Sequence, residues 1–405
     1  MGARLVLAGL VTLAAAGCGG GGDPAPRASA TPTPDAELAA APPDDEGALA
    51  ARLRERAQLL EQGDGAAYRA TATGAQRRRD GVAVRRARRM ALQEVRLRTD
   101  ELTTSGRRAK VAAVLSYRVR GMSRPFRTPR RIEAVKAGDG WRITSDRPRA
   151  EPLPWEIAAF RVVRSRHVVL LVAPGVDAAP LRAGLERAYR SIRRDLPRRD
   201  LPDSVLAVAA RGPAQTERLT GRVAGGVVAI ANVSVEWGAP PALEVERVLA
   251  QRMIVVVSRW RRQDEAGRRS TLVHEMTHTA LDPDTSARTP PWLIEGVAMH
   301  VSGDDRRAEA AARTAGLARS MKLGAISRPA SIYRLSGRDQ DAAYAAASAA
   351  AEEIVARRGS KGLFRLYDAF NDSSIPGRPG ARTTDRVLRR TLGLSLAELD
   401  AAAAG

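Results

Sequence analysis

Cysteine is almost absent from this chain. A single one, Cys18, in 405 residues excludes an intramolecular disulfide. Lysine is nearly as scarce, with Lys110, Lys136, Lys322 and Lys361 the only four. The formal net charge of +21 is therefore almost entirely arginine. Arginine dominance beside abundant alanine and glycine reads as coding bias, and no nucleic-acid recognition module accompanies it. Nucleic acid is not an expected partner, although so basic a surface is drawn loosely towards anionic polymers or membranes. No apolar run reaches the length of a membrane-spanning helix, which excludes that mode of anchoring. Histidine is rare too, four residues in all, and two of them fall in one short motif.

What is present accounts for two domains of ordinary composition, 44% hydrophobic and 27% charged. The first residues carry a targeting pattern. Arg4 makes a short basic start, residues 5–16 are apolar but too short to span a bilayer, and Ala15-Ala16-Gly17-Cys18 supplies small residues ahead of the cysteine. This resembles a bacterial lipoprotein signal, with Ala15 where leucine is usual. The resemblance implies removal of residues 1–17, lipidation of Cys18, and a protein held by lipid on the extracytoplasmic face of the cell membrane. Residues 18–45, rich in Gly, Pro, Ala and Thr without apolar periodicity, read as a disordered tether.

Residues 46–147 form the first expected domain. Ala48, Leu53, Ala57 and Leu60 recur at helical intervals, and Gly63-Asp64-Gly65 closes that helix. A second helix covers 74–91. The period then becomes two, with Val111, Ala113, Leu115, Tyr117 and Val119 on one face of a strand. Ser105-Gly106 and Gly138-Asp139-Gly140 supply turns, and a closing strand starts at Trp141. Helices followed by a curved antiparallel sheet resemble the cone-shaped nuclear-transport-factor-like domains, which implies an accessory module.

Pro148, Pro152 and Pro154 mark the boundary to a second domain over 155–405. Residues 167–173 read as a buried strand, with His167 a lone histidine at its edge. Asp177 caps a helix that buries Leu181, Leu185, Ala188 and Ile192, and strands follow at 204–210, 227–237 and 253–258. Beyond them the pattern is helical: 304–322, then 341–358 with Gly359 as its cap, then 360–370 and 384–392. A last helix opens on the capping box of Ser395 and Glu398.

The chemistry is concentrated in His274-Glu275-Met276-Thr277-His278. Two histidines four apart on a helix lie about 40° apart around its axis and can grip one metal ion. The glutamate after the first projects beside that metal, where it can take a proton from water. Ser270 suits the helix N-cap, and Pro283 sets its end near Asp282. A catalytic zinc needs a third protein ligand. By spacing, two carboxylates qualify: Asp284, six positions after His278, and Glu295, seventeen after it.

Glu295 lies in Trp292-Leu293-Ile294-Glu295-Gly296-Val297-Ala298, on a helix opened by Pro291. This segment resembles the gluzincin zinc peptidases, specifically the peptidase MA-like group, whose W-L-x-E-G-x-A pattern carries the glutamate ligand. The alternative, a metzincin with Asp284 as ligand, calls for glycine at the position of Leu281. The resemblance covers about 250 residues and extends to Tyr344, Gly359 and the closing segment from Leu392 to Leu399. It implies an α+β protein: the cone-like domain, then a zincin-like domain with a β-rich upper half and a helical lower half. It further implies zinc on His274, His278 and Glu295, Glu275 as general base, and a peptide or protein substrate. His300 and Tyr344 are the candidates for stabilising an oxyanion. Two positions depart from the family. Met299 stands where an acidic residue commonly buttresses a ligand histidine, and His300 where an aromatic hydroxyl is frequent. The competing expectation is a lipoprotein binding module with a vestigial, inactive metal site, and Met299 is the residue that favours it.

Overall fold

The computed structural model describes residues 10–12, 45–138, 140–149, 151–196, 201–221, 226–237, 245–304, 321–372 and 380–404. The expected tether, and most of the expected helix at 304–322, lie outside them.

The apolar repeat beginning at Ala48 produces helix α1 (Asp45–Gln62), ended by Gly63 in the left-handed conformation. Asp64 then caps α2 (Gly65–Ala70), its Oδ1 accepting from the Ala66 and Ala67 amides at 3.0 Å. Helix α3 is Gly74–Ala87, three residues shorter than its single-turn extension to Met90. Strand β1 (Leu10–Thr12) belongs to the second sheet below. The first sheet is an antiparallel meander of β2 (Leu92–Ser105), β3 (Arg108–Val119), β4 (Phe126–Ala137) and β5 (Gly140–Pro148). Alternate residues of β3 from Val111 to Val119 are buried, as their period of two requires. Register shifts interrupt the β2–β3 pairing after Gln93 and Thr99. Leu49 and Leu53 of α1 pack there with Ile132, Trp141 and Ile143.

After the short helix α4 (Pro154–Ile157) comes a six-stranded mixed sheet, in the order β1-β9-β10-β8-β7-β6. Its members are β6 (Arg161–Arg164), β7 (Val168–Val172), β8 (Val205–Ala210), β9 (Ala229–Trp237) and β10 (Val245–Val256). Every residue of β7 and β8 is buried, because these parallel strands are covered on both faces. Helix α5 (Ala179–Asp195) makes the crossover between them and buries Leu181, Leu185, Ala188 and Ile192. Asp177 accepts the Ala179 amide at 3.1 Å, but the N-cap residue of α5 is Ala178, one position later than expected. Two short helices, α6 (Pro213–Thr220) and α7 (Val257–Trp260), complete this half. One apolar core runs from Leu115, Tyr117 and Phe126 of the first sheet through Trp155 and Phe160 to β7 and β8.

The remaining helices are α8 (Glu265–Leu281), α9 (Pro291–Ser302), α10 (Gly337–Ala369), α11 (Ala381–Leu392) and α12 (Leu396–Ala404). Gly359 breaks α10 with φ 68° and ψ 170°, so the chain is helical on both sides of an interruption. Several boundaries differ from expectation. Helix α8 starts five residues before Ser270, because Asp264 supplies the cap through its 2.7 Å bond from the Gly267 amide. Strand β10 begins eight residues before Met253, since pairing with β9 extends through charged Glu246, Arg247 and Arg252, which hide its periodicity. Helix α11 begins three residues before Thr384. Helix α8 lies between two cores: Leu272, Val273, Met276 and Ala280 face the sheet side, and Leu281 joins the all-helical core with Trp292, Leu293 and Val297. A β-rich half thus precedes α8 and a helical half follows it. No helix of the described residues is long and apolar enough to cross a membrane.

Candidate metal centre

The four-residue spacing of His274 and His278 puts both rings on one face of α8, with centroids 4.8 Å apart and planes at 77°. Their Nε2 atoms are 3.1 Å apart. Glu295 arrives from α9, its Oε2 at 3.2 Å from His274 Nε2 and 3.6 Å from His278 Nε2. These three buried side chains are the one cluster of metal-ligand type among the described residues.

Helix α9 is held in place to make this possible. Pro291 starts it without wasting an amide, and the Trp292 ring is fully buried with its Nε1 donating to Ser327 Oγ at 3.2 Å. Gly296, next to the ligand glutamate, lets α9 press against α10. A Cβ there would lie 2.7 Å from the Ala347 carbonyl oxygen and 3.0 Å from the Ala351 methyl. The glycine of the motif is thus a packing requirement rather than a turn.

Two further side chains approach the ligands. The Tyr333 hydroxyl donates to Glu295 Oε1 at 2.8 Å, on the oxygen turned away from the histidines. Asp304 Oδ2 lies 3.9 Å from His274 Nδ1. It gets there because Gly303, with φ 60°, reverses the chain at the end of α9, and the Asp304 amide bonds back to the Met299 carbonyl. An acidic group near the histidine is therefore present, one turn later than position 299, while Met299 itself is buried among apolar neighbours. Neither Tyr333 nor Asp304 stands out in the sequence. Tyr333 sits in a single 3-10 turn with no periodic context, and the only signal for Asp304 is the Gly303 cap before it.

Burial favours the neutral forms here, yet at Glu295 and His278 the charges win. Burial alone would raise the Glu295 carboxyl, but His278 and His274 hold it far below the usual range. Burial lowers His278, but Glu295, Glu275 and Asp282 together push it up to about 9. Burial raises Asp282 to about 6, against the opposing Gln251 amide and His278. Tyr333 is pushed well above its ordinary value by burial and by Glu295, so its hydroxyl remains a donor.

The donor set fits zinc. Two imidazole nitrogens and a carboxylate oxygen are its common ligands, and bonds of about 2.05 Å at tetrahedral angles set donors roughly 3.3 Å apart. The three separations observed bracket that value. Protons shared by this cluster are what a divalent cation would displace.

Glu275 is fully buried on the same helix, and its Oε2 accepts the Ala231 amide of β9. The general-base candidate is thus tied to the strand next to the site. Tyr344, on α10, is buried and adds to the electrostatic surroundings of Tyr333. His300 instead faces Ser360, Nε2 to Oγ 3.0 Å. Asp284 is in the turn after α8, where its carbonyl accepts the Asn371 amide group, and it is not in the cluster. His167 stacks on Tyr189 at 4.4 Å and bonds to Glu186, a local structural arrangement remote from α8 in sequence. Cys18 lies outside the described residues.

No known family model matches the chain, and no curated protein matches it. Among solved structures, it is similar to a mutant two-domain M1 zinc metallopeptidase bound to L-arginine, at 15% identity and a TM-score of 0.34. It is similar also to a mutant M1 zinc metallopeptidase from Deinococcus radiodurans, at 15% identity and a TM-score of 0.33. Each alignment covers 66% of this chain and 57% of the other, so the chain spans little more than half the length of those enzymes.

Proposed function

We propose that this chain is a zinc-dependent peptidase. The observation that carries the reading is the convergence of His274, His278 and Glu295, their ligand atoms within 3.6 Å of one another, with Glu275 one residue along the same helix. Zinc bound there would activate water and polarise the scissile carbonyl. Glu275 takes the proton of the attacking water and returns it to the departing amine. Its anchorage to the Ala231 amide keeps that carboxylate close to β9, the strand along which an extended substrate would lie. The outer edge of β9 pairs at Asn232–Ser234 with β1, which lies within the segment expected to be removed as a signal. Tyr344 is the better placed candidate to donate to an oxyanion, since it is buried beside Tyr333, whereas His300 is bonded to Ser360.

Residues 1–17 act as a lipoprotein signal, Cys18 takes the lipid, and residues 18–45 tether the enzyme to the outer face of the cell membrane. The three helices and four-stranded meander over 46–147 act as a nuclear-transport-factor-like accessory module. Met299 is the residue that favours a binding module with an inactive site. Asp304 beside His274 supplies the acidic group missing at that position, which favours a working site.

The test is zinc content and cleavage of an unstructured protein substrate by wild type and by Glu275→Ala. Wild type should cleave and lose activity with a chelator. The variant should hold zinc in equal stoichiometry and cleave nothing. Equal cleavage by both would overturn the mechanism.

A further inference from the structure

A cavity of about 470 Å³ opens in the first part of the molecule, between helices α1 and α3, the concave face of the meander, and the chain around Trp155. It is unrelated to the metal centre and falls in the size range of small-molecule sites. Its walls are apolar on one side, including Leu60, Leu97, Leu115 and Trp155. The other side is a buried lattice of charges. Arg56 grips Asp80 with both nitrogens at 2.7 Å and lies 4.1 Å over the Tyr68 ring. Arg130 donates to Asp146 through Nε at 2.8 Å and to Glu156 through Nη2 at 2.8 Å.

That lattice is not closed. Arg130 Nη1 is buried and has no hydrogen-bond partner among the described residues, although the side chain is only 3% exposed. A buried guanidinium N–H left in this way lacks an oxygen acceptor. The charge balance points the same way. Five arginines line the cavity (Arg56, Arg79, Arg86, Arg130 and Arg147) against the three carboxylates Asp80, Asp146 and Glu156. An uncompensated positive potential at a low-dielectric opening concentrates anions. The rim is also oily. Val82, on the lining, is the one large hydrophobic residue among those described that is markedly exposed, at 37%. A single unfilled donor suits one carboxylate better than a phosphate, which would call for several.

We infer that this cavity is a binding site for a small amphipathic monocarboxylate, its carboxylate on Arg130 Nη1 and its apolar body against Leu60, Leu97, Leu115 and Trp155. Arg79, Arg86 and Arg147 attract the anion, and Val82 admits the apolar end. The site is independent of zinc, so it stands or falls apart from the peptidase reading.

Isothermal titration of the full chain with decanoate, below its micelle-forming concentration, and with neutral decanamide tests this. Wild type should bind decanoate saturably at one per chain, and decanamide about tenfold or more weakly. Arg130→Met removes the docking donor and should weaken decanoate by about tenfold or more. Because that change also strips partners from Asp146 and Glu156, Ala83→Trp provides a second arm: it fills the cavity from α3 without touching the lattice. It should abolish decanoate binding while zinc stoichiometry stays as in wild type. Absence of saturable decanoate binding to wild type would mean that the cavity only holds solvent and would overturn the inference. So would equal affinity for the amide, or undiminished binding by Ala83→Trp.

Discussion

Replacing Tyr333 by phenylalanine isolates the support given to the carboxylate ligand. The substitution removes one hydroxyl and leaves the ring, so the buried volume and the 3-10 turn are retained. What disappears is a 2.8 Å hydrogen bond to Glu295 Oε1. Glu295 is fully buried, Tyr333 is half-buried, and the acceptor is charged, so the bond is of the stronger kind, contributing about 1.5–3 kcal/mol. At about 1.4 kcal/mol per factor of ten, zinc affinity should fall by roughly ten- to a hundredfold. Competition with a chromophoric chelator near neutral pH reads that affinity directly. A melting curve of the metal-free protein separates it from simple destabilisation. If Tyr333→Phe binds zinc within about twofold of wild type, the hydroxyl does not orient the ligand, and the reasoning about Glu295 fails.

Three other outcomes follow from the same structure. Gly296→Ala should destabilise the protein by about 1–3 kcal/mol, because its methyl meets the Ala347 carbonyl of α10; an unchanged midpoint in urea would contradict that packing. Asp146 is raised by burial but lowered more by Arg130 and Arg56. Its folded value lies below its unfolded one, so its contribution is present above about pH 4 and is lost as pH falls through the folded value. The destabilisation caused by Asp146→Asn should therefore be larger near neutrality than near pH 3, and an equal gap in denaturant melts at both would refute the linkage. Tyr344→Phe should lower kcat by about a hundredfold with zinc affinity retained, whereas His300→Ala should leave kcat within about twofold; the reverse order would reassign the oxyanion donor.

Much of the frame was legible in the sequence because it is written in short-range periodicity. The alternation along Val111 to Val119, the Leu181 to Ile192 stripe of α5 and the Ser395–Glu398 box each recur in space as read. The spacing of His274 and His278 and the Trp292 to Ala298 pattern likewise sufficed to name the three side chains that converge. What escaped lies between elements. Helix α8 begins at Asp264 because a stronger cap lies upstream of a plausible weaker one. Asp304 approaches His274 only through the reversal at Gly303, and Tyr333 reaches Glu295 across 38 residues. The charge lattice around Arg56 and Arg130 joins positions up to 90 apart. Such meetings depend on how helices and sheet pack, which no local pattern records.

The central claim is that one divalent ion would sit where α8 and α9 meet. Anomalous diffraction at the zinc edge, from crystals of the full chain grown with zinc, examines it most directly. The account predicts a single peak about 2.1 Å from His274 Nε2, His278 Nε2 and Glu295 Oε2. A zinc-loaded crystal with no peak there, or with Glu295 turned away from an ion held by the histidines alone, would contradict it.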